Sequence, residues 1–372
     1  MNDFIPVNEP LLSGNEKKYL NECVDTGWIS SEGPFVKRFE EAFSTRMGRQ
    51  YGVAVSNGTA ALDVAVEALK IGPGDEVILP TFTIISCVLQ IVRSGATPVL
   101  VDCDPTTWNM DTSQIEDKIT ARTKAIMVVH IFGLPVDMDP VLDIAQRHGL
   151  FIIEDAAEMI GQTYKGKYCG GFGDISTFSF YPNKHITTGE GGMVLLDSDE
   201  LVEESRSLRN LCFQADKRFV HEQLGWNFRM TNMQAALGVA QLECLDQSVQ
   251  IKRKIGESYT RLLANTSGIQ LPLDKTEYAQ NIYWVYGVVL DDDVPFDAKE
   301  AMNRLKEHRI GSRPFFWPMH EQPVLQKMGL FKNERYPVAE NIARRGFYIP
   351  SGMALNGEQI ERSAEALKEV LK

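Results

Sequence analysis

A lysine between two strand-like runs is the residue with the clearest capacity for chemistry. Lys184 lies in Thr177-Phe178-Ser179-Phe180-Tyr181-Pro182-Asn183-Lys184-His185-Ile186-Thr187-Thr188-Gly189-Glu190-Gly191-Gly192, a polar loop that ends in glycines. A lysine held partly out of water or near other cations loses its proton more easily and attacks carbonyls as an amine. A solvated surface charge is the ordinary alternative for any single lysine. The glycines permit unusual dihedrals and close backbone approach, or form a tight turn and nothing more.

Two further stretches offer complementary chemistry. Ile153-Glu154-Asp155-Ala156-Ala157-Glu158 closes the apolar run 150–153. An acid at a buried strand end is costly unless a cation or donors meet it, and a protonated heterocyclic nitrogen is such a partner. Asp155 would equally cap a following helix. Ser56-Asn57-Gly58-Thr59-Ala60-Ala61 stands between a strand-like and a helix-like run. A helix start of this composition presents free N–H groups and a positive dipole end to a phosphate, or is a plain N-cap. A phosphate site, an acid for a ring nitrogen and a lysine for an aldehyde together outline pyridoxal phosphate (PLP).

These residues need a frame, and the apolar pattern supplies one. Strands are expected at 52–55, 76–79, 98–101, 125–130 and 151–154, with helices over 59–70, 84–94 and 139–148 between them. Apolar runs without alternation, separated by helices, indicate a parallel sheet covered on both faces. A further strand pair, 176–180 and 193–196, flanks the lysine loop. All three candidate stretches then fall at strand ends, where open parallel sheets build their sites. A long Pro-free helical pattern over 234–264 leads to a strand at 282–290, a helix at 298–308, a short strand near 310–313 and a last helix at 357–371. The expected fold is α/β: a large, mostly parallel domain over 1–245 and a smaller α+β domain over 246–372.

Composition narrows the function classes. Among 372 residues, 38 Lys+Arg against 50 Asp+Glu leave a net charge of −12. That balance argues against nucleic-acid binding, which needs a basic footprint. No apolar run is long enough to span a bilayer. Six cysteines without a C-x-x-C pair, and no secretory signal, point to a reducing cytoplasmic setting. The six histidines show no metal-ligand spacing, so no metal site is expected.

The order S-N-G-T-A-A-L, I-E-D-A-A-E, T-F-S-F-x-x-x-K-x-I-T-T-G-E-G-G and G-W-N-F-R-M-T-N-M-Q-A-A resembles the DegT/DnrJ/EryC1/StrS family of PLP-dependent nucleotide-sugar aminotransferases. The resemblance runs from Pro6 to the last helix and implies an aspartate-aminotransferase-like large domain. The segments W-I-S-S-E-G, Y-K-G-K and S-R-P-F-F-W-P-M-H most resemble the branch that makes GDP-perosamine.

The resemblance implies that Lys184 bonds the cofactor aldehyde and later shuttles the proton, and that Asp155 pairs with the ring nitrogen. It implies a phosphate cradle of Gly58, Thr59 and Ser179. Asn227 would reach the phosphate across a dimer interface, and Glu158 would lie beside the ring. Arg313 and His320 lie in a loop that resembles a substrate-side segment. His185 would line the sugar site or, as a lone histidine beside a loop more often does, stand as a surface or core residue. The implied reaction moves the amino group of L-glutamate to C4 of a nucleotide-linked keto-sugar, GDP-4-keto-6-deoxy-D-mannose first among them. A UDP- or dTDP-linked 3- or 4-keto-sugar is the nearest alternative. A PLP-dependent sugar 3-dehydratase, whose scaffold replaces the lysine by histidine, and a non-catalytic binder are the others. Two departures stand out: Ile84 occupies a position where relatives place an aromatic residue against the cofactor, and Tyr181, Pro182 and His185 differ from the pattern usual around the lysine.

Overall fold

In a computed structural model, which describes residues 4–214 and 216–372, a seven-stranded sheet carries the three candidate stretches. Helices α1 (Glu16–Thr26) and α2 (Pro34–Met47) lead into β1 (Tyr51–Val55), α3 (Gly58–Ala68), β2 (Glu76–Pro80), α4 (Ile85–Arg93), β3 (Thr97–Val101), β4 (Thr123–Val129), α5 (Met138–His148) and β5 (Phe151–Asp155). A short hairpin, β6 (Thr163–Tyr164) and β7 (Lys167–Tyr168), precedes β8 (Ile175–Ser179) and β9 (Gly192–Leu196). The order is β1-β9-β8-β5-β4-β2-β3, and only the contacts of β9 are antiparallel.

The strand residues explain this burial on both faces. Val77 and Leu79 of β2 pack into one apolar cluster, and Ile78 between them packs into the other. Met127 and Val129 of β4 likewise oppose Ile126 and Val128. With both faces covered, the strands have no polar side to alternate with, which is why they read as continuous apolar runs.

After α6 (Asp199–Arg209), the expected long helix is two: α7 (Asn232–Glu243) and α8 (Leu245–Leu263). Cys244, with φ −104° and ψ 7°, leaves the helical region and breaks them. No proline or glycine announces that break, so periodicity alone runs through it. Thr231 and Gln234 form a reciprocal capping box at the start of α7.

The remainder holds β10 (Ile269–Gln270), β11 (Tyr286–Leu290), α9 (Ala298–Glu307), β12 (Arg313–Pro314), α10 (Pro323–Lys327), α11 (Pro337–Arg345), β13 (Gly346–Ile349) and α12 (Gly357–Val370). Its strands form an antiparallel sheet in the order β10-β11-β13-β12. A separate apolar cluster gathers Tyr259, Tyr286, Val288, Leu305, Phe347 and Leu367. Residues 282–285, expected within a strand, precede β11 as irregular backbone. No helix among the described residues is long and apolar enough to cross a membrane.

Candidate active site

The C-terminal ends of β1, β5 and β8 open onto a cavity of about 380 Å³. Gly58, Thr59, Asp155, Glu158, Ser179 and Lys184 all line it. Asn57 caps α3, its Oδ1 accepting from the Ala60 N–H at 2.8 Å. Gly58 is the next residue, and a Cβ there would lie 2.8 Å from Ser179 Cβ. Only glycine lets the start of α3 approach the end of β8 this closely.

Asp155 ends β5 with its carboxylate directed into the cavity. Its Oδ1 accepts from the Ala157 N–H at 3.0 Å, and its Oδ2 from the Cys87 thiol at 3.3 Å. Burial raises its pKa, while the Ala157 N–H, the Cys87 thiol and Lys184 act in the opposite direction. Glu158 Oε2 accepts from the Phe132 N–H at 2.7 Å. Burial pushes the Glu158 pKa up to about 8, against the pull of Lys184.

Lys184 is buried, and its Nζ lies 3.8 Å from the centroid of the Trp284 ring. Burial lowers its pKa, with Glu158 and Asp155 as the main opposing influences. A buried amine of lowered pKa is the form that reacts with a carbonyl carbon.

Four of the expected site residues, His185, His320, Arg313 and Asn227, do not line this cavity. His185 is fully buried behind Lys184, where its Nε2 donates to the Ile282 carbonyl at 3.1 Å. Burial and the nearby Lys252 push its pKa down to about 3, so it is a neutral core histidine and not a wall of the sugar site. His320 is buried between Thr81 Oγ1 (2.9 Å) and Glu340 Oε1 (3.1 Å). It fixes the loop after β2 and faces a different depression. Arg313 is exposed on β12, in register with Tyr348 of β13, and it is Tyr348 that lines the cavity. Asn227 is also outside the cavity, exposed and bridged to Asn210 next to the end of β1.

Spacing marks no metal site, yet among the described residues two trios come together in space: His130, Glu154 and Cys169, and His320, Glu321 and Glu340. The carboxylates are already engaged. Glu154 accepts from the Gly170, Phe172 and Gly173 N–H groups, and Arg335 and Arg344 hold Glu340 and Glu321.

Other residues of the cavity escaped the sequence reading. Trp284, Phe316 and Tyr348 arrive from the C-terminal sheet and its loops, and His130 from the end of β4. Cys87, in the first turn of α4, supplies the second donor to Asp155. Phe316 stands in the S-R-P-F-F-W-P-M-H segment, between the Arg313 and His320 expected at the site, and no local motif marks the others, because their neighbours in space are far away in sequence. Ile84, by contrast, does line the cavity, and it is 47% exposed.

The residues fit a phosphorylated aldehyde with a basic ring nitrogen. Gly58 lines the cavity at the start of α3, and Thr177 Oγ1 and Asn183 Oδ1 are buried on the lining without a hydrogen-bond partner. Lys184 and Asp155 supply an amine and a carboxylate to the same space.

Comparison with known proteins decides the family. The model of the DegT/DnrJ/EryC1/StrS aminotransferase family matches residues 10–368. The chain belongs to this family. Two relatives described as GDP-perosamine synthase, from Escherichia coli O157:H7 and Vibrio cholerae, are 42% and 40% identical over 366 residues. Each match covers 98% of this chain and 98% of the relative. The solved aminotransferase TlmJ from Streptoalloteichus hindustanus superposes with a TM-score of 0.91 at 29% identity, covering 99% of this chain and 98% of that one. Spr1654 from Streptococcus pneumoniae, in its PLP form, gives 0.92 at 26% identity, with 99% and 98% covered. As a DegT/DnrJ/EryC1/StrS aminotransferase, the chain is a PLP-dependent enzyme that takes a nucleotide-sugar substrate and an amino donor.

Proposed function

We propose that the enzyme moves the amino group of L-glutamate to C4 of GDP-4-keto-6-deoxy-D-mannose, giving GDP-perosamine for surface polysaccharide such as O-antigen. The observation that carries the chemistry is the meeting of the Lys184 amine, the Asp155 carboxylate and the Gly58–Ser179 cradle in one cavity. The choice of sugar is supported by the near-full-length identity to the two GDP-perosamine synthases.

PLP, when bound, supplies an electron sink for the bonds at the carbon bearing the amine. The chain's residues do the rest. The Gly58 and Thr59 N–H groups and the Ser179 hydroxyl hold the phosphate at the start of α3. Asp155, fixed by Cys87 and Ala157, keeps a proton on the ring nitrogen. Lys184 would hold the cofactor through its amine and would move the proton at the reacting carbon as general base and acid. The aromatic wall of Trp284, Phe316 and Tyr348 helps to exclude water.

The same reading assigns residues 1–245 to cofactor binding, with 246–372 as the smaller unit, and places the enzyme in the cytoplasm. It also makes the enzyme a homodimer in which Asn227 serves the neighbouring cavity. The exposure of Asn227, and of Trp28, Ile29 and Met233, supports that assembly. A fully active monomer in sedimentation would contradict it. For the chemistry, Lys184→Ala abolishes turnover while the protein still binds PLP reversibly; undiminished turnover overturns the assignment.

A further inference from the structure

Residues 280–284 lead to Trp284, which lines the cavity, and four of their carbonyls are gripped by side chains from other elements. Gln162 Nε2 donates to the Gln280 carbonyl (2.8 Å), Arg253 Nε to Asn281 (3.4 Å), His185 Nε2 to Ile282 (3.1 Å) and Lys252 Nζ to Trp284 (2.7 Å). Lys252 Nζ also donates to the Ser351 carbonyl at 2.7 Å.

The arm is shaped as tightly as it is held. Tyr283 has a φ of +49°, a left-handed conformation that costs a tyrosine energy and persists only under constraint. A Cβ on Gly133 would lie 2.5 Å from Tyr283 N, and one on Gly256 would lie 2.4 Å from the Tyr283 ring. Neither the loop after β4 nor α8 has room for anything larger.

Lys252 is the costliest part of this arrangement. It is buried, and no carboxylate among the described residues comes within ion-pair distance of its Nζ. Burial, with Lys184 nearby, pushes its pKa down to about 7. Burying an amine without an acid partner is unfavourable unless its hydrogens are satisfied, and here two carbonyls satisfy it. All of this fixes the backbone of Trp284, whose ring meets the Lys184 amine at 3.8 Å. Phe132 and Tyr348 flank the same indole, at 5.9 and 6.4 Å between centroids.

We propose that Trp284 is a positioning residue for the reaction: its indole face, locked in place by Lys252 and His185, holds the Lys184 amine in the orientation the reaction needs. An amine N–H directed at an indole face makes a short-ranged, directional contact, and orientation of a reacting group governs rate. The proposal rests on Lys184 being the reactive amine.

The test is a single-turnover reaction of the PLP-loaded protein with L-glutamate, followed by the visible band, in Trp284→Leu, Trp284→Phe and Lys252→Met. Trp284→Leu lowers the saturating rate by about tenfold or more, with the half-saturating glutamate concentration nearly unchanged. Trp284→Phe recovers part of the loss, and Lys252→Met follows Trp284→Leu. PLP capture by protein stripped of cofactor, trapped with borohydride and counted by mass, slows in the same order. An unchanged saturating rate and unchanged capture in Trp284→Leu, or a change confined to glutamate half-saturation, overturns the proposal. Should Lys252→Met fail to fold, the two Trp284 variants still decide. Turnover that survives Lys184→Ala removes the underlying reading; turnover lost there but normal in Trp284→Leu removes only this proposal.

Discussion

Glu154 and Asp155 are consecutive residues of β5, and their carboxylates serve opposite sides of the sheet. Glu154 turns inward to His130 Nε2 at 3.2 Å, to Ser176 Oγ at 3.1 Å and to the backbone N–H groups of Gly170, Phe172 and Gly173. His130 and the Gly170 and Gly173 N–H groups hold its pKa down at about 2 against the effect of burial. Asp155 turns into the cavity with two donors, and burial raises its pKa. Alternation along a strand thus gives one acid to the loop that precedes β8 and the other to the cofactor site.

Glu158 gives the cavity a pH signature. Its pKa in the folded protein, about 8, stands above the ordinary 4.5, so folding favours its protonated form. The stability it contributes is complete below pH 4.5 and is lost as pH rises through about 8. Glu158→Gln should therefore flatten the fall of melting temperature over that window in the cofactor-free protein. Parallel curves for variant and parent would show that Glu158 does not titrate there.

His185 has the opposite sign. Its folded pKa of about 3 lies below the ordinary 6.5, so its contribution is present above pH 6.5 and is lost as pH falls toward 3. Glutamine keeps a donor for the Ile282 carbonyl but does not titrate. His185→Gln should move the acid-unfolding midpoint to lower pH, measured by far-ultraviolet circular dichroism. A midpoint moved to higher pH would contradict the neutral core histidine.

How much of this was legible in the sequence depended on whether the signal was local. The doubly covered strands declare themselves in runs such as 125–129, because neither face needs polar residues. Lys184, Asp155 and Gly58 stand in motifs whose spacing survives folding. His185 illustrates the limit: beside Lys184 a wall of the sugar site and a core histidine are both open, and only the fold turns its ring into the core. Trp284 illustrates the other limit. Nothing near it in sequence shows that Gly133, Gly256, Lys252 and His185, from four other segments, converge on its arm. The break at Cys244 was likewise invisible, since it lies within an unbroken helical pattern.

Gly58 tests the cradle. Gly58→Ala places a Cβ 2.8 Å from Ser179 Cβ, and overpacking of that kind costs about 1–3 kcal/mol. PLP affinity should fall by about tenfold or more, because α3 must retreat from the end of β8. Fluorescence titration of the cofactor-free variant reads that loss, and wild-type affinity would show that the close approach does not shape the site.

The most direct measurement follows the visible band of the PLP-loaded protein through both half-reactions. L-glutamate is added, excess is removed, and GDP-4-keto-6-deoxy-D-mannose follows. Loss of the band with glutamate and its return with the sugar is the predicted result, with GDP-perosamine as the product. A band that glutamate leaves untouched would contradict the transamination, and a band that fades but does not return would contradict the choice of sugar.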